Sequence, residues 1–449
     1  MFKNNIKELS KKVSAIVDNI SMPIPTTKIA ITGLSRSGKT IFITSLIEQL
    51  LLQKKITPIT SKKQAFNVTI KSPTTSIKRF DYYSLKKIIK EYHQWPDGTD
   101  DITSTTLEFE TKSRYSFLSN SKFRVELIDY PGEWILDIAM MDLSYDQWSE
   151  KTINWMKNID EEIVKEYLNS IDELSDKSKG EGIENNLHQQ YSGMLSFLKN
   201  NHYSNLTPGR FLMPSDLAHD PILCFAPIHQ SSSPLHQVFK ERYEYYLENI
   251  VKNIQLEHFR GFDRQIVLID IIEALQNGHD RYLDMKEGLR SMMSLYDHRN
   301  KNFISQWFSS SIKKVIFVAT KADLITSSQH DNYSALLNEM VEDIRKKMDV
   351  DHIKTDTYII SSVKCTETVL REHDGKSLPC IQGISSKEKK KIVLYPGEMP
   401  HSFPSSQEWD TSAYNYEVFL PANISYKDNT PFDHINMDKL VDSMIGELL

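Results

Sequence analysis

Residues 33–40 read Gly33-Leu-Ser-Arg-Ser-Gly38-Lys39-Thr40, a G-x-x-x-x-G-K-[ST] spacing. These residue types suit the binding of a polyphosphate tail. Such a tail needs several amide donors turned inward, and Gly33 and Gly38 let the backbone curl closely around it. Lys39 is expected to reach the β- and γ-phosphates, and the Thr40 hydroxyl to take one Mg²⁺ position. Ser35, Arg36, Ser37 and Ile41 complete the loop and the turn after it. Only 15 glycines occur in 449 residues, so chance explains the match poorly.

Two further constellations extend the chemistry. Asp129-Tyr-Pro-Gly132 places a carboxylate three residues before a glycine. Asp129 then suits a water-mediated Mg²⁺ contact, and Gly132 an amide to the γ-phosphate. A plain turn is the alternative, because Asp and Pro-Gly favour turns. Thr320-Lys321-Ala-Asp323 supplies a carboxylate that accepts from both N1–H and N2–H₂ of guanine, a donor pair adenine lacks. The Lys321 stem is expected over the base plane. Ser361-Ser362-Val363-Lys364 ends another apolar run and offers guanine O6 a backbone donor.

Hydrolysis asks for positioning and charge neutralisation. Lys39 is the first candidate for the charge. Glu133 is the nearest candidate to orient water; the alternative is a carboxylate turned away to cap the helix beginning near Trp134. Arg36 is either a charge stabiliser or a solvent-exposed side chain. A switch threonine over the Mg²⁺ is expected in the polar stretch 95–105, with Thr99 first and Thr103 second.

These residues need elements to hold them. Apolar, β-branched runs predict strands near 27–32, 66–71, 105–110, 123–129, 265–271, 313–319 and 357–361. Helical stretches alternate with them, so the fold is expected to be α/β, a mainly parallel sheet flanked by helices. Each motif then falls at a strand's C-terminal end, where open sheets bind ligands. A large helical insertion, with helices at 134–172 and 236–260, separates Asp129 from the 264–272 strand. The expected division is an N-terminal helix over 1–25, a nucleotide-binding core over 26–133, the insertion over 134–262, and the rest of the core over 263–449. Residues 173–190 read as a polar loop, 384–391 as a basic hairpin tip, and 436–449 as a docking helix.

The stretches TGLSRSGKTIFITSLI, IDYPGEWILDI, LTPGRFL (206–212) and FDRQIVLID (262–270), with Ser362-Val-Lys-Cys365, resemble the YcjX-like family of bacterial P-loop GTPases. The resemblance runs from about residue 20 to the C-terminus. It implies a P-loop NTPase fold, Mg²⁺-dependent GTP hydrolysis to GDP, and a switch role in envelope or phage-shock stress. It also implies a membrane protein of the YcjF type as partner. Thr320 departs from the Asn that small GTPases use there, and Glu133 from their Gln. The rival readings are an ATP-using P-loop kinase and a GTP/GDP-binding module with negligible turnover.

Composition narrows the setting. Three widely spaced cysteines, Cys224, Cys365 and Cys380, exclude a disulfide framework and suit a reducing compartment. A net charge of −6 argues against a general grip on nucleic acid. No apolar run approaches a membrane span, and residues 1–20 lack a secretory pattern. Their apolar stripe, Ile6, Leu9, Val13, Ile16, Val17 and Ile20, either packs on the body or lies on anionic lipid. The expected location is the cytoplasm, with peripheral contact at the inner membrane as the further option.

Overall fold

The computed structural model describes residues 24–34, 36–55, 66–72, 77–98, 101–111, 121–174, 182–212, 223–231, 233–253, 261–293, 312–421 and 429–448. The expected helix over 1–25 therefore lies almost wholly outside the described residues, as do Ser35 and Thr99. The first half runs β1 (Thr26–Gly33), α1 (Lys39–Leu52), β2 (Phe66–Lys71), β3 (Lys78–Arg79), α2 (Tyr82–Glu91), β4 (Thr103–Thr111) and β5 (Ser121–Asp129). Six helices follow: α3 (Gly132–Met140), α4 (Tyr145–Met156), α5 (Glu162–Asp172), α6 (Ile183–Asn200), α7 (Gly209–Leu212) and α8 (Pro234–Tyr246). The chain then makes β6 (Arg264–Ile269), α9 (Ile271–Asn277), α10 (His279–Met293), β7 (Lys314–Ala319), α11 (His330–Val350) and β8 (Lys354–Ile359). It ends with β9 (Glu367–His373), β10 (Lys376–Ser385), β11 (Lys391–Leu394), β12 (Phe419–Leu420) and α12 (Met437–Ile445).

The main sheet has the order β2-β4-β5-β1-β6-β7-β8, with β3 beside β4. From β5 to β8 every pair is parallel. The β2/β4 and β4/β5 pairs are antiparallel, so one flank departs from the parallel rule. β1 is flanked by β5 on one side and β6 on the other, the topological switch point at which such sheets bind ligands.

Alternate side chains of the central strands point to opposite faces, and both faces are covered. Ala30, Ile128, Val267, Ile269, Val315 and Phe317 pack in one core with the helices between β5 and β6 and with α9 to α11. Ile29, Ile31, Val125, Leu127, Ile266, Leu268 and Ile316 pack in the other, under α1 and α12. α12 docks through Met437, Leu440, Val441 and Met444, an i, i+3, i+4, i+7 stripe.

Local chemistry sets several boundaries. Ser144 and Gln147 form a capping box at the start of α4. Ser233 caps α8, with Pro234 in the first turn, and Asp270 caps α9. The apolar content of 134–172 resolves into three helices. The polar loop expected over 173–190 is corrected: α6 begins at Ile183 and buries Leu187, Tyr191, Met194, Leu195 and Leu198. Asparagines and glutamines on its outer face obscure that stripe in sequence.

A second sheet runs from β9 to β12, and its β10–β11 hairpin carries the tip expected at 384–391. β10 pairs antiparallel with β9, β11 and β12. The basic run lies at the exposed turn between β10 and β11.

Candidate functional site

β1 stops at Gly33, and α1 starts at Lys39 after Gly38, whose φ of 83° suits a residue without Cβ. The loop between them faces a cavity of about 240 Å³. Arg36, Ser37, Gly38 and Ile41 line it from this side, Thr320, Lys321, Asp323 and Leu324 from the end of β7, and Ser361, Ser362, Val363 and Cys365 from the end of β8. Three motifs far apart in sequence thus wall one space. Trp95, Val418 and Phe419 close it. The indole Nε1 of Trp95 donates to the Phe419 carbonyl at 2.8 Å, which ties the stretch before β4 to the second sheet. Trp95, Val418 and Phe419 escape sequence reasoning, because none belongs to a motif.

At the phosphate end, Lys39 Nζ donates to the Gly33 carbonyl at 3.1 Å. Thr40 and Ser37 are buried. Gly132 opens α3 against this loop so closely that a Cβ there would stand 2.0 Å from the Gly33 carbonyl oxygen. Asp129, buried at the end of β5, is the ladder partner of Thr103. Thr103 is therefore the first buried residue of β4 and not part of a polar loop.

The residues present fit a Mg²⁺ ion. The Thr103 Oγ1 and Ser37 Oγ hydroxyls are buried with no hydrogen-bond partner among the described residues. Hydroxyl and carboxylate oxygens are the donors this cation takes. Thr40, Asp129 and Thr103 are the residues that would hold it.

Glu133 occupies the first turn of α3, where its own backbone amide donates to its carboxylate. Its carboxylate pairs with Lys199 of α6, Oε1 to Nζ 3.1 Å. Burial would raise its pKa, but Lys39 and Lys199 outweigh this and hold the carboxyl below its ordinary value. Arg36, with φ 63°, is partly exposed and engaged on both sides. One guanidinium nitrogen lies 2.7 Å from His202 Nδ1 and 3.6 Å from Glu273 Oε1. His202 and Glu273 also contact each other.

At the other end, Asp323 accepts from the Cys365 amide at 2.9 Å. Burial pushes its carboxyl above the ordinary value, and the Cys365 amide and Ser361 hydroxyl pull it part of the way back. The Thr320 amide donates to the Ile269 carbonyl at 3.0 Å. Lys321, with φ 62°, pairs with buried Asp270. Burial lowers its pKa, but Asp270 and Glu273 more than offset this, so it rises. Ser362 is fixed by the Ser45 hydroxyl of α1, which donates to its carbonyl. Lys364 has an exposed side chain, its amide donates to the Asp433 carbonyl at 2.7 Å, and its charge acts on Asp323. Asp270 is legible in sequence as the end of the FDRQIVLID segment, and Glu273, one turn into α9, carries no sequence signal.

The LTPGRFL segment packs against α3. Asp137 of α3 accepts from the amides of Gly209 and Arg210 and from the Tyr246 hydroxyl. The Arg210 guanidinium lies 3.7 Å from the Trp134 ring centroid, a cation–π contact.

A switch-point sheet, a phosphate loop at its central strand and one cavity shared by the three motifs define a P-loop NTPase. The match to the model of the YcjX-like family, DUF463, spans residues 27–449, and the chain belongs to that family. It is 30% identical over 448 residues to a Ras-like GTPase YcjX of Escherichia coli, covering 94% of this chain and 96% of that one. It is 27% identical over 460 residues to a Ras-like GTPase YcjX of Shewanella oneidensis, covering 94% of each.

Proposed function

We propose that this protein binds GTP and hydrolyses it to GDP and phosphate, and that the helical insertion responds to which nucleotide is bound. The observation that carries the reading is the single cavity running from Gly38 to buried Asp323. The loop amides and the α1 N-terminus hold the phosphates. Lys39 exchanges the Gly33 carbonyl for phosphate oxygens. Asp323 accepts from the guanine edge while Trp95 and the Lys321 stem cover the ring. Mg²⁺, when bound, neutralises charge developing on the β- and γ-oxygens. Glu133 orients the attacking water. Gly132, held against Gly33, is where a γ-phosphate would be felt, and α3 begins there.

The names of the relatives support guanine as the base. The boundaries at 25, 133 and 262 are proposed as those of the core and its insertion. An envelope-stress role, a YcjF-type partner and a cytoplasmic, membrane-peripheral location are supported by the family resemblance. No helix of the described residues is long and apolar enough to cross a membrane.

Two variants test the reading. Asp323→Asn should lower GTP affinity by about 100-fold or more and admit xanthosine nucleotides, because the donor pair of guanine then meets an amide. Lys39→Ala should abolish single-turnover hydrolysis. Unchanged base preference, or hydrolysis at the same rate without Lys39, would overturn it.

A further inference from the structure

The helical insertion touches the phosphate site at Lys199 in the last turn of α6 and at His202 just beyond it. Lys199 pairs with Glu133, and three residues on, His202 contacts Arg36 of the phosphate loop. Glu133 is nearly enclosed. Lys39 acts on it from α1 and Lys199 from α6, while the Arg210 guanidinium lies over the neighbouring Trp134 from α7. A carboxylate here is unusual, because Lys39 is also the group that meets the β- and γ-phosphates. Like charges at such range repel strongly in a buried site.

We infer that Lys199 is a positioning residue: it holds the Glu133 carboxylate beside the γ-phosphate position and neutralises the charge which that carboxylate would otherwise set against the phosphate. This rests on the proposed GTP reading. Lys199 Nζ lies 3.1 Å from Glu133 Oε1, and the Glu133 amide also donates to the carboxylate, so the group is held from two sides. The insertion then contributes to nucleotide preference in cis, and displacing α6 changes how well GTP is held relative to GDP.

The test is equilibrium binding of fluorescent mant-GDP and a mant-labelled nonhydrolysable GTP analogue to the full chain with Mg²⁺. Lys199→Met should weaken the analogue about tenfold while leaving GDP within about twofold, since only the γ-phosphate faces the uncompensated carboxylate. Lys199→Arg should keep the wild-type ratio. In a Glu133→Gln background, Lys199→Met should change nothing further, because the charge it balances is gone. An unchanged analogue-to-GDP ratio in Lys199→Met, or an equal loss in the Glu133→Gln background, would overturn the inference and leave the GTP reading standing. Equal loss of both nucleotides would make Lys199 a structural residue and would also overturn it. Wild-type protein that binds neither nucleotide would bring down the GTP reading, and the inference with it.

Discussion

Trp95 illustrates how much of the site depends on single side chains outside the motifs. Its ring lines the cavity, and its one donor is spent on the Phe419 carbonyl, so the indole is held in place on both counts. A flat, fixed aromatic beside a base-sized space gives stacking energy without further ordering. Trp95→Ala should weaken GDP and GTP alike by about 1–3 kcal/mol, the range for aromatic stacking on a base. Isothermal titration with each nucleotide checks this, and a loss confined to GTP would count against the stacking role. Glu133 teaches the same lesson from the other side: its residue type suggested water chemistry, and only its neighbours revealed the pairing with Lys199.

Among elements, α3 is the hinge between chemistry and insertion. Its first residue abuts Gly33, and its Asp137 gathers three donors from α7 and α8. Burial lifts the Asp137 carboxyl to about 6, although the Tyr246 hydroxyl and the two amides oppose the rise. Removing that acceptor leaves two buried amides and a phenol unpaired. Asp137→Ala should therefore destabilise the protein by about 2–4 kcal/mol. Denaturation monitored by tryptophan fluorescence reads it directly, and a change below about 0.5 kcal/mol would remove Asp137 as the anchor. The second sheet plays a comparable part at the cavity, since β12 supplies Phe419 to its lining.

For the whole molecule, a second buried acid pins the chain after α6 to α10. Asp284 accepts from the amides of Ser204 and Asn205 and from the Trp155 indole. Burial raises its pKa to about 6, so the folded state holds a proton that the unfolded chain releases near pH 4. Its contribution is therefore full below about pH 4 and is lost as pH rises through about 6. The stability advantage of wild type over Asp284→Asn should shrink by about 2–3 kcal/mol between pH 4 and 7. Urea midpoints at both pH values test this, and a constant difference would mean that Asp284 does not titrate in the folded protein.

The sequence by itself determined the phosphate loop, the strands that lead to Asp129, Asp323 and Ser361, and the docking stripe of α12. These are local: a glycine spacing, a run of β-branched residues or an i, i+4 pattern acts through neighbours in the chain. Tertiary structure alone decided what fills the space between them. Lys199, His202, Asp270 and Trp95 reach the site from elements whose separation in sequence carries no contact information. β9 is illegible in sequence because it is almost wholly exposed and lacks an apolar run, and β12 is only two residues long. The two cores form only when β1 lies between β5 and β6, and that arrangement brings the three motifs to one cavity.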